Sequence, residues 1–310
     1  MTEHPDYHIK PIRQLLYLIL VTTAFTVLAN LISLALIALI YGKDTISQLQ
    51  GVGLGSPQEV IDSLKIALAI GTTTGMFLAP AWFFSRYIVY DVDEYIKPNT
   101  NYNNLLILIV IGIMAASLPV MEMLININEK LVLPEFLKGV ERWMRESEDD
   151  TNRMIEAVVQ TDTTGHLIIS MLIVALLPAI GEEFMFRGCL QTIVGQWTGN
   201  KHAAVWITAI LFSAMHMQFF GFLPRLALGV IFGYMAAYSG SIWPGVIGHF
   251  INNGLAVISV YLYQNKKIDI DPNNNHIFNY PVYIISFIII LFLLWLFKNV
   301  ASGKRSIPEY

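Results

Sequence analysis

The sequence predicts an all-α fold, a polytopic membrane bundle of about eight transmembrane helices. Of the 310 residues, 55% are hydrophobic and 14% are charged, and the mean hydropathy is +0.56. Soluble domains carry about 25% charged residues, so this composition excludes an ordinary soluble domain. An apolar run of about 20 residues is long enough to cross the hydrocarbon core as a helix. Such runs occupy residues 18–39, 64–84, 105–124, 167–185, 203–217, 222–238, 246–263 and 282–297.

The first run is too long for the core of a cleaved signal peptide and lacks a small-residue cleavage site, so we expect a retained span. The fifth and sixth runs are shorter and are expected to be tilted or partly embedded. An even number of spans places both termini on one side. Basic residues near the two ends favour cytoplasmic termini in the cell membrane, whereas two lysines in the last loop argue the other way. These residues are Lys10, Arg13, Lys298, Lys304 and Arg305 at the ends, and Lys266 and Lys267 in the loop.

Polar segments divide the chain into three parts. Residues 1–166 hold three apolar runs and a polar segment, 126–166, that contains many of the acidic residues. Apolar residues recur in this segment at helical spacing, which predicts an amphipathic helix at the membrane interface, although a solvated helical linker is an equal alternative. These residues are Phe136, Leu137, Val140, Trp143 and Met144. Residues 167–264 carry the polar motifs described next, and residues 265–310 hold a surface turn around Asp271 and Pro272 before the last run.

Two adjacent carboxylates, Glu182 and Glu183, interrupt the fourth apolar run. A charged group at the bilayer centre costs roughly 3 kcal/mol or more, so it indicates a functional site. Neighbouring side chains on a helix point about 100° apart, and the two glutamates therefore have different surroundings. Arg187 follows Glu183 at the spacing of a helical ion pair, which indicates that these two residues give structural support. Glu182 is left to face a cavity as a general base, with Pro178 and Gly181 shaping the pocket.

Two later runs carry residues that can complete such a site. His216 lies four residues after Phe212 at the end of the fifth run, where a lone histidine is also a common core residue. In the seventh run His249 and Asn253 are four residues apart and share one helix face. Asn252 points about 100° away and is the weaker candidate. A buried Glu–Arg cluster that only fixes helix packing would account for part of this pattern, but it leaves Glu182 unexplained.

A general base, two histidines and an amide in one buried cavity are typical of a hydrolytic site for amide bonds. In a metal-free site, Glu182 and His216 activate water while His249 and Asn253 stabilise the oxyanion. No cofactor is needed in that case. In the alternative, Glu182, His216 and His249 hold one divalent metal ion such as zinc, whose bound water is the nucleophile. The spacing does not decide between the two, although the helical HExxH zinc signature is absent.

Three motifs occur in order on successive apolar segments: EExxxR at 182–187, FxxxH at 212–216 and HxxxN at 249–253. This series resembles the CAAX protease and bacteriocin-processing enzyme family, also called the CPBP or Abi family, which contains the type II CAAX prenyl endopeptidases. The resemblance covers roughly residues 167–255. It implies an intramembrane endopeptidase with Glu182, His216, His249 and Asn253 at the catalytic positions. It also implies a membrane-associated protein or peptide as substrate, without requiring that the substrate be prenylated.

Two functions of other classes compete with proteolysis. A non-catalytic membrane scaffold or immunity protein would bind a peptide in the same cavity, although the intact motifs argue against it. A small transporter would relay protons through Glu182 and the histidines. Its best support, the Gly229 and Gly233 pair, equally indicates ordinary helix packing. The sequence has no basic stripe of the kind that binds nucleic acid. Cys189, the only cysteine, is expected to be a packed core residue.

Overall fold

The computed structural model describes residues 9–159, 163–269 and 277–303. Every regular element in these ranges is a helix, which confirms the all-α fold. The helices are α1 (Pro11–Tyr41), α2 (Lys43–Gln48), α3 (Gln58–Ile88), α4 (Val92–Tyr95), α5 (Leu105–Glu129), α6 (Lys138–Val159), α7 (Thr164–Thr198), α8 (Lys201–Met215), α9 (Phe222–Ser239), α10 (Trp243–Gln264) and α11 (Tyr280–Ser302). The expected turn at Asp271 and Pro272 lies outside the described residues, as do Lys304 and Arg305.

Seven helices in the described part of the chain are long and apolar enough to cross a membrane, namely α1, α3, α5, α7, α9, α10 and α11. The protein is therefore a polytopic helical membrane protein. The fifth predicted run forms α8, which has 15 residues and extends about 22 Å, less than the roughly 30 Å of the hydrocarbon core. The expectation that the fifth and sixth runs are tilted or partly embedded stays a prediction.

Helix α7 is irregular on both sides of its central turn. Residues Met171–Leu176 and Phe184–Leu190 are wound as π-helix, and Leu177–Glu183 between them is α-helical. Pro178 lies at the junction and has no N–H to donate to the carbonyl of Val174, four residues earlier. Wider turns of this kind are frequent at functional sites because they change the direction of side chains. The two glutamates close the α-helical segment.

Small residues let the helices around α7 approach closely. A Cβ on Gly181 would lie 3.3 Å from the Cβ of Phe77, so α3 packs directly against the α7 backbone, as expected from the sequence. A Cβ on Gly229 would lie 3.0 Å from the Cβ of Ala209 on α8, which supports the packing interpretation of that glycine. Cys189 is fully buried and its thiol lies 3.7 Å from the Ala81 carbonyl oxygen. The prediction that it is a core residue is confirmed.

The loop between α4 and α5 fixes the start of α10 relative to α7. The indole N–H of Trp243 donates to the Pro98 carbonyl at 3.0 Å, and the Ile242 N–H donates to the Lys97 carbonyl at 3.2 Å. Lys97 also donates a hydrogen bond to the Thr192 hydroxyl on α7. Burial lowers the pKa of the Lys97 ammonium group. These bonds set the height of α10 against α7, and hence the position of the polar residues one to two turns further along.

The polar segment predicted to form an amphipathic helix is α6. At its end Ala157 and Val158 are buried against Val60 and Leu64 of α3. Near its start the predicted apolar face is open, and Trp143 is 49% exposed. The helix itself is confirmed, while its placement at the membrane interface stays a prediction.

Candidate active site

Three of the four predicted catalytic side chains meet inside the bundle. Oε2 of Glu182, on α7, lies 3.7 Å from Nε2 of His216, at the end of α8. The same oxygen lies 3.8 Å from Nε2 of His249, on α10. Glu182 is 8% exposed and His249 is 5% exposed. The carboxylate and the two imidazoles therefore converge on one nearly dry point.

Helix lengths explain why Glu182 and His216 reach the same depth. Gly199 ends α7 with a φ of 61°, and the Asn200 side chain caps α8 by accepting bonds from the next amides. This tight connection makes α7 and α8 antiparallel neighbours. At about 1.5 Å per residue, and measured from this connection, Glu182 lies about 24 Å back along α7 and His216 lies about 22 Å forward along α8. The short helix α8 thus ends where its histidine meets the carboxylate.

Glu182 has an unused acceptor in this setting. Its Oε2 is buried, and among the described residues it accepts no hydrogen bond. The distances to the two histidines exceed those of a direct hydrogen bond, so Oε2 remains available to a polar ligand such as a water molecule or a substrate atom. An unpaired buried oxygen costs about 1–3 kcal/mol, and more when charged. Such an atom marks a place where a polar ligand binds.

The second carboxylate is paired with other side chains through Oε1, whereas its Oε2 is buried and accepts no hydrogen bond among the described residues. Oε1 of Glu183 lies 3.0 Å from Nη1 of Arg187, and both side chains are buried. This confirms the helical pairing predicted from the four-residue spacing. The Arg187 guanidinium also donates to the Gly229 carbonyl at 3.2 Å and lies 4.4 Å from the ring centroid of Phe212. Glu183 and Arg187 thus join α7 to α8 and α9.

Glu183 has a further partner that the sequence did not reveal. Nδ1 of His249 lies 3.1 Å from Glu183 Oε1. Because a carboxylate accepts hydrogen bonds, Nδ1 carries the proton and Nε2 is turned toward Glu182. The Phe232 ring stacks on the His249 imidazole, with centroids 5.4 Å apart and planes 18° apart. A Cβ on Gly245 would lie only 2.9 Å from Glu183 Oε2, so glycine leaves room for the carboxylate.

His216 is oriented by its own helix. Its Nδ1 lies 2.8 Å from the Phe212 carbonyl oxygen, one turn earlier. A carbonyl only accepts, so Nδ1 carries the proton and Nε2 faces Glu182. The Phe212 ring contacts both imidazoles edge-on, at 4.9 Å from His216 and 5.9 Å from His249. The phenylalanine of the FxxxH motif therefore separates the two histidines and covers Arg187. The side chain of His216 is 27% exposed, whereas the side chain of Glu182 is 11% exposed, so His216 lies on the open side of the site.

Asn253 lies one turn beyond His249 on α10, but its contacts lead elsewhere. Its amide donates to the Val174 carbonyl at 3.4 Å, the same carbonyl that Pro178 cannot serve. The neighbouring Asn252 donates to the Asn253 side-chain oxygen at 3.1 Å. The bond to Val174 ties α10 to the irregular part of α7. The oxyanion role predicted for Asn253 stays a prediction.

A metal ion would need the predicted ligands to move closer together. Two ligands of one tetrahedral zinc ion lie about 3.3 Å apart, whereas Glu182 lies 3.7 Å and 3.8 Å from the two histidine nitrogens. Within the described ranges, no group of three or more His, Cys, Asp or Glu side chains is arranged to hold a metal ion. The observed separations lie between this zinc spacing and the roughly 4.5 Å between two groups bridged by one water molecule, so the metal-free and metal-dependent sites both stay predictions.

Fold and site together define a helical membrane protein with a buried glutamate and two histidines at its centre. Residues 164–255 match the family model described as type II CAAX prenyl endopeptidase Rce1-like. The resemblance that the motifs indicate is confirmed over this segment, which contains all four predicted catalytic residues. Because this is a protease family, the match supports a hydrolase in general terms.

One curated relative is the uncharacterized protein YpbD of Bacillus subtilis (strain 168). It is 25% identical to this chain over 143 residues, which are 45% of this chain and 67% of the relative. No solved structure gives a significant match.

Proposed function

We propose that this protein is an intramembrane endopeptidase that hydrolyses peptide bonds of membrane-associated proteins or peptides. The observation that carries the proposal is the position of Glu182 Oε2, which lies 3.7 and 3.8 Å from two imidazole nitrogens. It has no hydrogen-bond donor among the described residues, a property that it shares with Glu183 Oε2. A packing cluster would use its charges in pairs, as Glu183 and Arg187 do. Glu182 is the carboxylate left over, and it faces the open side of the site.

Glu182 and His216 activate the water molecule that attacks. A water that bridges Glu182 Oε2 and Nε2 of His216 gives up a proton to the carboxylate as its oxygen bonds to the peptide carbonyl carbon. In the second step the C–N bond breaks, and the same proton passes to the leaving amine. Nε2 of His216 accepts a hydrogen bond from the attacking water and fixes its direction. Atoms and charges balance without an added reactant, because water supplies the hydroxyl to one product and a proton to the other.

His249 stabilises the oxyanion of the tetrahedral intermediate. Its Nδ1–H is directed to Glu183, so Nε2 donates to an oxyanion only when it also carries a proton. The oxyanion role therefore requires that His249 carries protons on both ring nitrogens when the intermediate forms. Asn253 adds a second donor if its amide turns from Val174 toward the intermediate.

The site lies within a bundle of apolar helices, so the substrate reaches it from the bilayer as a membrane-associated protein or peptide. We place the protein in the cell membrane with both termini in the cytoplasm, following the basic residues near its ends. This orientation needs an even number of crossings, so α8 is counted as the eighth crossing beside the seven longer helices. Tags at the two termini that are accessible only after the cell membrane is permeabilised would support this orientation. Tags accessible on intact cells would contradict it.

The test of this function measures cleavage of a panel of membrane-anchored peptides by purified protein in detergent. Wild-type protein is assayed with and without a chelator, beside Glu182→Gln and Glu183→Gln, each checked for folding. We expect wild-type protein to cleave the peptide equally well with the chelator, and we expect Glu182→Gln to lower the cleavage rate at least about 100-fold. Loss with the chelator and recovery with zinc would favour the metal-dependent alternative. A folded wild-type protein that cuts no peptide would favour a non-catalytic scaffold.

A further inference from the structure

The segment that carries His216 depends on contacts from other helices for its shape. The residue after it, Met217, has a φ of 54°, a left-handed conformation that residues with a Cβ seldom adopt. One of the last bonds of α8 is long, with 3.4 Å from the His216 N–H to the Ser213 carbonyl. The imidazole is held by the Phe212 carbonyl, one turn earlier. Its direction is therefore kept only while the last turn of α8 stays folded.

Helix α6 supplies contacts that hold the following loop, residues 217–221. Glu148 accepts a hydrogen bond from the Phe220 N–H at 2.8 Å. Asn152, one turn later, accepts one from the Gln218 side-chain amide at 3.3 Å. The guanidinium of Arg145 lies 4.3 Å from the Phe220 ring centroid. The three α6 residues share one helix face, so this face is the surface on which the loop rests.

Other elements hold the loop from its remaining sides. Arg225 of α9 donates to the Gln218 carbonyl at 3.3 Å and to its side-chain oxygen. Asn128, at the end of α5, donates to the Phe219 carbonyl. Among the bonds from α6, the one to Glu148 engages the loop backbone and has a charged acceptor, which makes it the strongest. Removing this carboxylate would release the loop on the side of α6.

We propose that Glu148 is a positioning residue for His216. Its bond to the Phe220 N–H fixes the loop and, through the last turn of α8, keeps Nε2 of His216 directed at Glu182. Glu148 contacts no reacting atom and acts through the loop; its charge also interacts with Arg225, and the Glu148→Gln variant separates that charge from the hydrogen bond. The kinetic part of this inference rests on the proposed peptidase function, whereas its structural part does not.

The kinetic experiment compares three variants on one cleaved peptide. We expect Glu148→Ala to lower kcat by about 10- to 100-fold, because a displaced catalytic group costs rate rather than binding, and to leave KM within about twofold. Glu148→Gln retains an oxygen that accepts the Phe220 N–H and should keep most of the activity. The matched control is Glu146→Ala, which removes an exposed acid from the same helix and should behave as wild type. A raised KM with unchanged kcat would overturn the proposal.

The structural experiment reads the loop without any substrate. Hydrogen exchange of the Phe220 amide, resolved by mass spectrometry in detergent, should be about tenfold faster or more in Glu148→Ala. Glu148→Gln and Glu146→Ala should exchange as wild type does. If Glu148→Ala does not fold, Asn152→Ala replaces it, with a smaller acceleration expected at the same amide. Unchanged exchange in a folded variant would overturn the proposal. Faster exchange in a protein whose wild type cuts no peptide would support the loop contact and defeat the peptidase function.

Discussion

Replacing Arg187 with methionine would leave the Glu183 carboxylate buried without its cation. The two side chains are 1% and 0% exposed, with Nη1 and Oε1 3.0 Å apart. Methionine has nearly the length and apolar bulk of the arginine stem, so the change removes charge and hydrogen bonds more than volume. It also removes the bond to the Gly229 carbonyl and the contact of the guanidinium with the Phe212 ring.

The expected loss of stability follows from these contacts. Removing one partner of a buried ion pair costs about 3–5 kcal/mol, because the other charge stays buried. The contact of the guanidinium with the Phe212 ring is worth up to about 2 kcal/mol, and contact of the methionine sulfur with the same ring replaces much of it. We therefore expect Arg187→Met to lower the free energy of unfolding by about 3–5 kcal/mol. The double variant Glu183→Gln/Arg187→Met carries neither charge, and its glutamine still accepts from His249. It should be at least about 2 kcal/mol more stable than Arg187→Met.

The assay is reversible unfolding in mixed detergent micelles with increasing sodium dodecyl sulfate, followed by circular dichroism. Wild type, both single variants and the double variant form one thermodynamic cycle. The control is Arg142→Met, which changes an exposed arginine on α6 and should cost less than about 0.5 kcal/mol. A loss below about 1 kcal/mol for Arg187→Met would refute the reasoning. A double variant less stable than Arg187→Met would refute it as well.

Three further changes test other contacts. Gly245→Ala would place a Cβ 2.9 Å from Glu183 Oε2 and should lower the free energy of unfolding by about 1–3 kcal/mol; an unchanged value in the same assay would mean that the carboxylate moves freely. Glu122→Ala would remove the acceptor of the Ile277 and Phe278 N–H groups, at 3.1 and 2.9 Å, and of the Tyr283 hydroxyl at 2.6 Å. Limited proteolysis at 277–279 should therefore become faster, and equal rates in the variant and wild type would contradict this. Cys189 is fully buried, and a maleimide should label it only after unfolding, as mass spectrometry would show; labelling of the native protein would contradict the packing.

Contacts within one helix could be predicted from the sequence. The pairing of Glu183 with Arg187 follows from a four-residue spacing, which fixes the distance between two side chains wherever the helix lies. The same spacing places His249 and Asn253 on one face. The apolar runs predicted the spans because the hydrocarbon core sets the length of a helix that crosses it. Local geometry and the bilayer thus supply much of the fold.

Contacts between helices could not be predicted in this way. The bond between Glu183 and His249 joins residues on α7 and α10, and the sequence indicated only one partner for this glutamate. Phe232, which stacks on His249, looks like any other core residue of α9. The bonds from α6 to the loop of residues 217–221 join a charged segment to the one that follows His216, across distant parts of the chain. Side-chain packing among several helices decides these contacts, and no periodicity in the sequence records it.

Asn253 illustrates the intermediate case. The sequence placed it correctly on the face of His249, but its amide contacts Val174 rather than Glu182. The π-helical winding of α7 moves that carbonyl toward α10, and a missing N–H at Pro178 is the one signal for it in the sequence.

The turnover of Glu182→Gln, His216→Gln and the double variant on one cleaved peptide tests most directly whether these residues act on the same water molecule. Each single change should lower kcat by at least about 100-fold. The double variant should be no slower than the slower single variant, within about threefold, because removing either partner already disables the unit. Losses that multiply in the double variant, or a Glu182→Gln protein that retains more than about half of the wild-type rate, would contradict the account.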